Sequence, residues 1–258
     1  MLTAVLPHNK MEERKYILIT GSSSGMGEEI AVNLSEHFNI ILHGRAEERL
    51  SQVKAKLSNT GNHLIWRYDL SDVAGLESRL LQFLEDSKIQ VSYFVHSAGA
   101  LKTYPVRALT PEVFSYSYNT NVVSAALITK VLVSRRNNKA LKSAVFISSN
   151  ISNFGAKAFS VYGSTKAGLD GLMRSLAIEL APSVRINSVL PGGVRTRMTE
   201  SIYQDNDLVS RIAATYPLGL GSVSDIYHTV RFLLSDESRW ITGQQITVDG
   251  GRTVNITG

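Results

Sequence analysis

From residue 16 to residue 248 the chain alternates short, β-branched apolar runs with longer stretches whose apolar residues recur at helical spacing. The runs fall at 16–20, 40–43, 64–68, 91–95, 144–147, 184–189 and 245–248, and the stretches predict helices at 26–37, 47–57, 73–84, 111–135, 160–182, 208–215 and 224–235. Neighbouring parallel strands need a crossover of a dozen or more residues, usually a helix. The alternation therefore predicts an α/β fold, a doubly wound parallel sheet with helices on both faces. No linker, repeat or low-complexity segment interrupts it, and 258 residues at 43% hydrophobic can bury one large core. Residues 1–14 read as a polar leader and 15–258 as a single domain, with a loop at about 192–216.

The first run leads straight into a turn with glycines at Gly21, Gly25 and Gly27 and serines at Ser22, Ser23 and Ser24. Glycines there permit a tight turn and close backbone approach. The helix that follows offers unpaired N–H groups and its dipole to a pyrophosphate, so the domain is expected to be Rossmann-like. The spacing departs from G-x-G-x-x-G, but strand, turn and helix stand in the order that the motif demands. At the end of the second strand, where an NAD-binding unit carries a carboxylate for the ribose hydroxyls, this chain has His43, Gly44 and Arg45. A guanidinium without a carboxylate suits the 2′-phosphate of NADP.

Composition narrows the classes. The chain has no cysteine, which excludes disulfides and thiolate metal sites, and its six histidines show no ligand spacing, so no metal is expected. Its formal charge of +5 is too diffuse to predict a nucleic-acid partner. No run of 18 apolar residues and no secretory pattern at the start predict a soluble cytoplasmic protein without a membrane partner.

The chemistry is expected between residues 147 and 166. If 160–182 is a helix, Tyr162 and Lys166 lie four apart on one face, and a cation beside a phenol favours the phenolate. Ser149 follows a strand end, where its hydroxyl could meet a substrate oxygen. Taken alone, such a pair is more often an amphipathic tyrosine beside a solvated lysine. Asn121 and Asp69 likewise have plain readings, as a buried polar residue in a helix and a carboxylate at a helix start.

The residues together, in this order, resemble the short-chain dehydrogenase/reductase family over about 15–251: the turn from Thr20 to Gly27, Asp69, Ala98-Gly99, Asn121, Ser149, Tyr162 with Lys166, Asn187, Pro191-Gly192, and Asp249-Gly250-Gly251. The resemblance implies hydride transfer between a nicotinamide and a small-molecule carbonyl or secondary alcohol, with Tyr162 as the general acid or base. Lys166 would lower the tyrosine pKa and hold the nicotinamide ribose, Ser149 would polarise the substrate oxygen, and Asn121 would fix a water in a proton relay. The cofactor is expected to touch Gly21, Ser23, Ser24, Gly25, Met26, Gly27, Gly44, Arg45, Asp69, Leu70, Ala98, Gly99, Tyr162, Lys166, Pro191, Gly192, Val194 and Thr196. NADP(H) is the preferred cofactor and NAD(H) the alternative. A homotetramer is implied, for which Val122, Leu127, Leu169 and Leu172 offer apolar surface. One departure is visible: His96-Ser97 stand where the family has Asn-Asn.

Leu101, Tyr104, Ile151, Phe154, Phe159, Arg195, Arg197, Met198, Ile202 and Tyr203 are the expected substrate lining. Tyr216-Pro-Leu-Gly219 and the ending from Thr242 to Gly251 are similar to 3-oxoacyl-carrier-protein reductases, whereas Leu101-Lys102-Thr103 and Pro182-Ser183 depart from them. Other readings are a carrier-bound thioester as substrate, or a cofactor-binding sensor without turnover.

Overall fold

The computed structural model describes residues 14–58, 61–196 and 206–255. A seven-stranded parallel sheet runs in the order β3-β2-β1-β4-β5-β6-β7. Its strands are β1 (Tyr16–Thr20), β2 (Asn39–Gly44), β3 (Leu64–Arg67), β4 (Val91–His96), β5 (Ser143–Ile147), β6 (Arg185–Pro191) and β7 (Gln245–Val248). The helices are α1 (Gly25–Leu34), α2 (Glu47–Lys54), α3 (Val73–Ser87), α4 (Pro111–Tyr118), α5 (Ser124–Leu132), α6 (Ser160–Leu180), α7 (Asn206–Ala213) and α8 (Val223–Leu234).

Strand β1 shows why two helical layers form. Its Ile17, Leu18 and Ile19 are all fully buried. Successive side chains on a strand point to opposite faces, so Leu18 joins a core with Leu76 and Leu80 of α3, Ile128 of α5 and Leu169 of α6. Ile17 and Ile19 join a second core with Ile30 and Leu34 of α1, Leu50 of α2 and Ile226 and Val230 of α8. Burying each such side chain contributes about 1.5–3 kcal/mol. A strand buried on both sides must be apolar throughout, as this one is.

Helix starts follow local chemistry. Asp72 accepts from the Gly75 N–H at the start of α3, Thr110 caps α4 ahead of Pro111, and Ser222 with Asp225 forms a reciprocal capping box on α8. Helix α1 is different: Ser24 at its N-cap makes no capping bond through its side chain. The chain moves outward from β1 to β3, then crosses back to β4 and moves outward to β7. The connections that leave the carboxyl ends of these paired strands therefore run to opposite sides, and a crevice opens between them.

One element differs from expectation. The helix predicted at 111–135 is interrupted between α4 and α5 by a turn of π-helix, Asn119–Val123. Such turns occur frequently at functional sites, and this one carries Asn121.

Candidate active site

The glycine turn closes over the crevice because no side chain fits there. A Cβ on Gly21, whose φ is +69°, would lie 2.7 Å from the Ala98 Cα, and one on Gly27 would lie 2.5 Å from the Gly21 carbonyl oxygen. Gly25 has φ +60° and faces Thr196, whose Cβ would lie 3.3 Å from an added methyl. Close approach of backbone and uncapped N–H groups at α1 make a cradle for an anionic group.

Two buried histidines brace the turn. The Gly21 N–H donates to Nδ1 of His43 (3.3 Å), while the His43 N–H donates to the Ser22 hydroxyl (2.8 Å) and the Ser22 N–H to the His43 carbonyl (3.0 Å). On the other side Thr20 Oγ1 and His96 Nδ1 are 3.0 Å apart, and the same Thr20 oxygen accepts from the Ala98 N–H (3.3 Å). His96, at the departure from the family's Asn-Asn, thus supplies its own bond between β1 and β4. Burial pushes His43 down to about 4 and His96 down to about 3, so both rings are neutral at neutral pH.

A cavity of about 430 Å³ lies along the crevice, lined by Gly21, Ser23, Ser24, Gly25, Met26, Gly27, Gly44, Arg45, Asp69, Leu70, Ala98, Gly99 and Thr196 among the expected residues. Leu101 lines it too, as do His43, Arg49, Tyr68, Ser97, Ala100, Lys102, Tyr116 and Thr120, which the sequence reading did not place there. Arg45 sits 3.7 Å from the Asp69 carboxylate in an exposed pair, a contact contributing about 0–1 kcal/mol. Pro191 and Gly192 do not line this cavity; a Cβ on Gly192 would be 2.6 Å from the Asp249 Cβ, so that glycine admits the Asp249 turn. Val194 does not line this cavity; its side chain is buried in the core with α8.

Ser149 follows β5 and α6 presents Tyr162 and Lys166, both buried; none of the three lines this cavity. Gly99 connects the two regions: it lines the cavity, and a Cβ on it would lie 3.5 Å from Lys166 Nζ and 3.7 Å from Asn121 Oδ1. Asn121 is fully buried. Its Oδ1 accepts from the Ala100 N–H (2.7 Å), and its Nδ2 donates to Thr165 Oγ1 (2.9 Å), so the side chain ties the loop after β4 to α6. The Ile151 N–H donates to the Ser149 hydroxyl (3.3 Å).

The electrostatics correct one expectation. Lys166 Nζ donates to the Ile147 carbonyl (2.8 Å) and lies 5.7 Å from the centre of the Tyr162 ring. Burial dominates here: it pushes the phenol up to about 12, opposed only by the Ser149 hydroxyl, and pushes the ammonium down to about 8, opposed by Asp170. Tyr162 is therefore held protonated at neutral pH.

Of the expected substrate lining, Phe159 packs edge-on against Tyr162 at 6.1 Å, Ile151 lies against Gly163, and Phe154 is half exposed. The Tyr104 N–H donates to the Ala158 carbonyl (2.8 Å), joining the two loops beside the site. The Gly193 N–H donates to the Tyr216 hydroxyl (2.8 Å), which anchors the loop that begins there. Arg197, Met198, Ile202 and Tyr203 lie outside the described residues. Among the described residues no cluster of acidic or histidine side chains could hold a metal ion, and no helix is long and apolar enough to cross a membrane.

The family described as Enoyl-(Acyl carrier protein) reductase matches residues 21–253. The chain is 30% identical over 242 residues to the 3-oxoacyl-(acyl-carrier-protein) reductase of Escherichia coli (strain K12), covering 93% of this chain and 97% of that protein. Among solved structures, a short-chain type dehydrogenase/reductase from Mycobacterium ulcerans superposes with a TM-score of 0.85 at 29% identity, covering 94% of this chain and 91% of that one. A 4-hydroxyisoleucine dehydrogenase complexed with NADH gives a TM-score of 0.87 at 26% identity, over 94% and 100%.

Proposed function

The chain belongs to the short-chain dehydrogenase/reductase family of NAD(P)-dependent oxidoreductases, and on that premise we propose that it is an NADPH-preferring reductase of a small carbonyl compound, with the reverse oxidation of a secondary alcohol. The observation that carries this reading is the buried, protonated Tyr162 beside Ser149 and Lys166, next to Gly99 of the cavity that begins in the glycine cradle. A bound nicotinamide supplies the hydride. Ser149 donates a hydrogen bond to the substrate oxygen, and Tyr162 delivers the proton that the oxygen needs as negative charge develops on it. Lys166 leaves the Ile147 carbonyl or shares its protons with the nicotinamide ribose, and its charge favours the phenolate that remains. Asn121 holds the loop that shapes the crevice and, through its π-turn, offers a main-chain carbonyl to the proton relay. Pro191, Gly192 and the main chain of Val194 would flank the nicotinamide end, opposite the adenine end at Asp69 and Leu70.

The NADP(H) preference rests on Arg45 and Arg49, the two guanidiniums lining the cavity beside Gly44 and Ser23. Arg45 exchanges a weak exposed pair for a phosphate. A charge-assisted bond contributes about 1.5–3 kcal/mol, and about 1.4 kcal/mol is tenfold in affinity, so NADPH should bind roughly ten- to a hundredfold tighter than NADH. The Gly44→Asp, Arg45→Ala double change should reverse the preference; an added Cβ at 44 meets Ser23 and Leu50 at 3.3 Å, which small shifts relieve. Fluorescence titration with both cofactors at moderate salt tests this, and equal affinity in the wild type defeats it.

The 30% identity to a carrier-protein reductase supports a second reading, a 3-oxoacyl thioester as substrate. Leu101-Lys102-Thr103 at the crevice weighs against it. A homotetramer is proposed with it or without it. Leu169 is buried in the monomer's own core, while Val122, Leu127 and Leu172 are only partly buried against it; Ile178 (78% exposed) and Trp240 (92% exposed) add apolar surface for a partner copy. Light scattering at micromolar concentration should give four times the chain mass; a monomer mass rejects assembly.

A further inference from the structure

Three consecutive residues at the end of β5 hold three positions on α6. The Ile147 carbonyl accepts from Lys166 Nζ (2.8 Å), Ser149 faces Tyr162, and between them Ser148 reaches a residue that the mechanism leaves unused. Ser148 Oγ lies 2.9 Å from Asp170 Oδ2 and 3.3 Å from the Lys166 main-chain carbonyl. A hydroxyl has one proton, and the shorter bond to the charged acceptor is the stronger claim on it.

Asp170 is buried to 1% exposure, and its other oxygen, Oδ1, has no hydrogen-bond partner. A carboxylate is a costly way to anchor a helix in the core, because its unmatched oxygen must be compensated by charge. An anchor alone would need no charge. Lys166, four residues earlier on the same face of the helix, is buried too; its ammonium bonds the Ile147 carbonyl and acts on the carboxylate through space rather than by a direct ion pair. The groups that face Lys166 from the surrounding elements are Tyr162 and Asp170 on α6, the neutral His96 on β4, and the Asn121 amide in the π-turn. Of these, Asp170 alone brings an opposite charge.

We propose that Asp170 is a positioning residue for the catalytic lysine: clamped by Ser148, its buried carboxylate is the counter-charge that holds Lys166 in its charged form beside Tyr162. The inference rests on the reading of Lys166 as the working cation. Burial pushes Lys166 down to about 8 even with Asp170 opposing the shift, so losing the counter-charge brings deprotonation into the working pH range.

The test is to follow the Lys166 side-chain nitrogen by NMR in protein carrying ¹⁵N-labelled lysine, with Lys166→Arg assigning its signal. In Asp170→Asn the titration midpoint should move down by about one pH unit, the size expected when one nearby opposite charge is removed. The alkaline limb of kcat/KM should move with it. A purely structural role lowers the unfolding temperature and leaves the midpoint where it was; an unmoved midpoint overturns the proposal. If Asp170→Asn does not fold, Ser148→Ala carries the same test, with a smaller shift in the same direction expected and an unmoved midpoint again overturning it. Because the nitrogen is observed without turnover, this outcome is separate from whether Tyr162 proves to be the proton donor.

Discussion

Replacing Tyr162 by phenylalanine should lower kcat by about 10²–10⁴, the usual contribution of a positioned acid–base group, while cofactor affinity and thermal stability stay close to wild type. The ring is buried and packs against Phe159, so keeping it preserves the packing while the transferable proton is lost. The phenol is pushed up to about 12 by burial, and it therefore carries its proton at neutral pH. Steady-state kinetics on any accepted carbonyl, together with a cofactor titration, separate the two effects. Lys166→Ala should instead damage both rate and affinity, since in the proposed mechanism one cation serves the ribose and the phenolate. Wild-type turnover in Tyr162→Phe would sink the mechanism.

Acidification should destabilise the protein well above the range where carboxylates titrate. His43 and His96 are neutral in the folded state, their pKa values lowered by burial to about 4 and about 3, while in the unfolded chain each binds a proton below about 6.5. The depressed group is the easier one to leave unprotonated in the native state, so the unfolded chain holds more protons throughout this window. Stability is then fully present above about 6.5 and is lost as pH falls, at up to about 1.4 kcal/mol per pH unit per histidine. By pH 5 the two together should remove roughly 4 kcal/mol, a large part of a typical total of 5–15 kcal/mol. His63, also lowered by burial, adds to the slope. Urea unfolding midpoints measured from pH 7.5 to 5 should fall steadily, and His96→Asn, which restores the family's residue, should remove about one proton's share of the slope. Midpoints that do not change over that range would show that the rings are protonated in the native state.

Some of this was readable without coordinates because it depends on spacing along one element. The β1 run, the glycines that follow it, and Tyr162 with Lys166 one turn apart each carry their structural consequence locally. The rest depends on what lies across the sheet. Nothing in Asn119-Thr-Asn-Val-Val123 breaks a helix by propensity, so the π-turn was invisible. Arg49 of α2 lines the cavity, which nothing in its local sequence indicates. The lysine beside the phenol implied a depressed tyrosine, but burial of both groups, a tertiary property, outweighs their proximity and reverses the shift. Val194 follows a strand end in the manner of a cofactor contact, yet its apolar side chain turns into the core with α8. Asp170 on an amphipathic helix reads as a solvated acid; only the Ser148 hydroxyl across from it shows otherwise.

The most direct test is hydride transfer itself: a panel of ketones, aldehydes, sugar-derived carbonyls and a 3-oxoacyl thioester, offered with NADPH and with NADH and followed by nicotinamide absorbance, in wild type and in Tyr162→Phe. At least one carbonyl should oxidise the reduced cofactor, faster with NADPH than with NADH at limiting concentration, and the Tyr162→Phe protein should lose that rate. Tight binding of the cofactor with no oxidation across the whole panel would contradict a catalytic site, and would leave a nucleotide-binding sensor in its place.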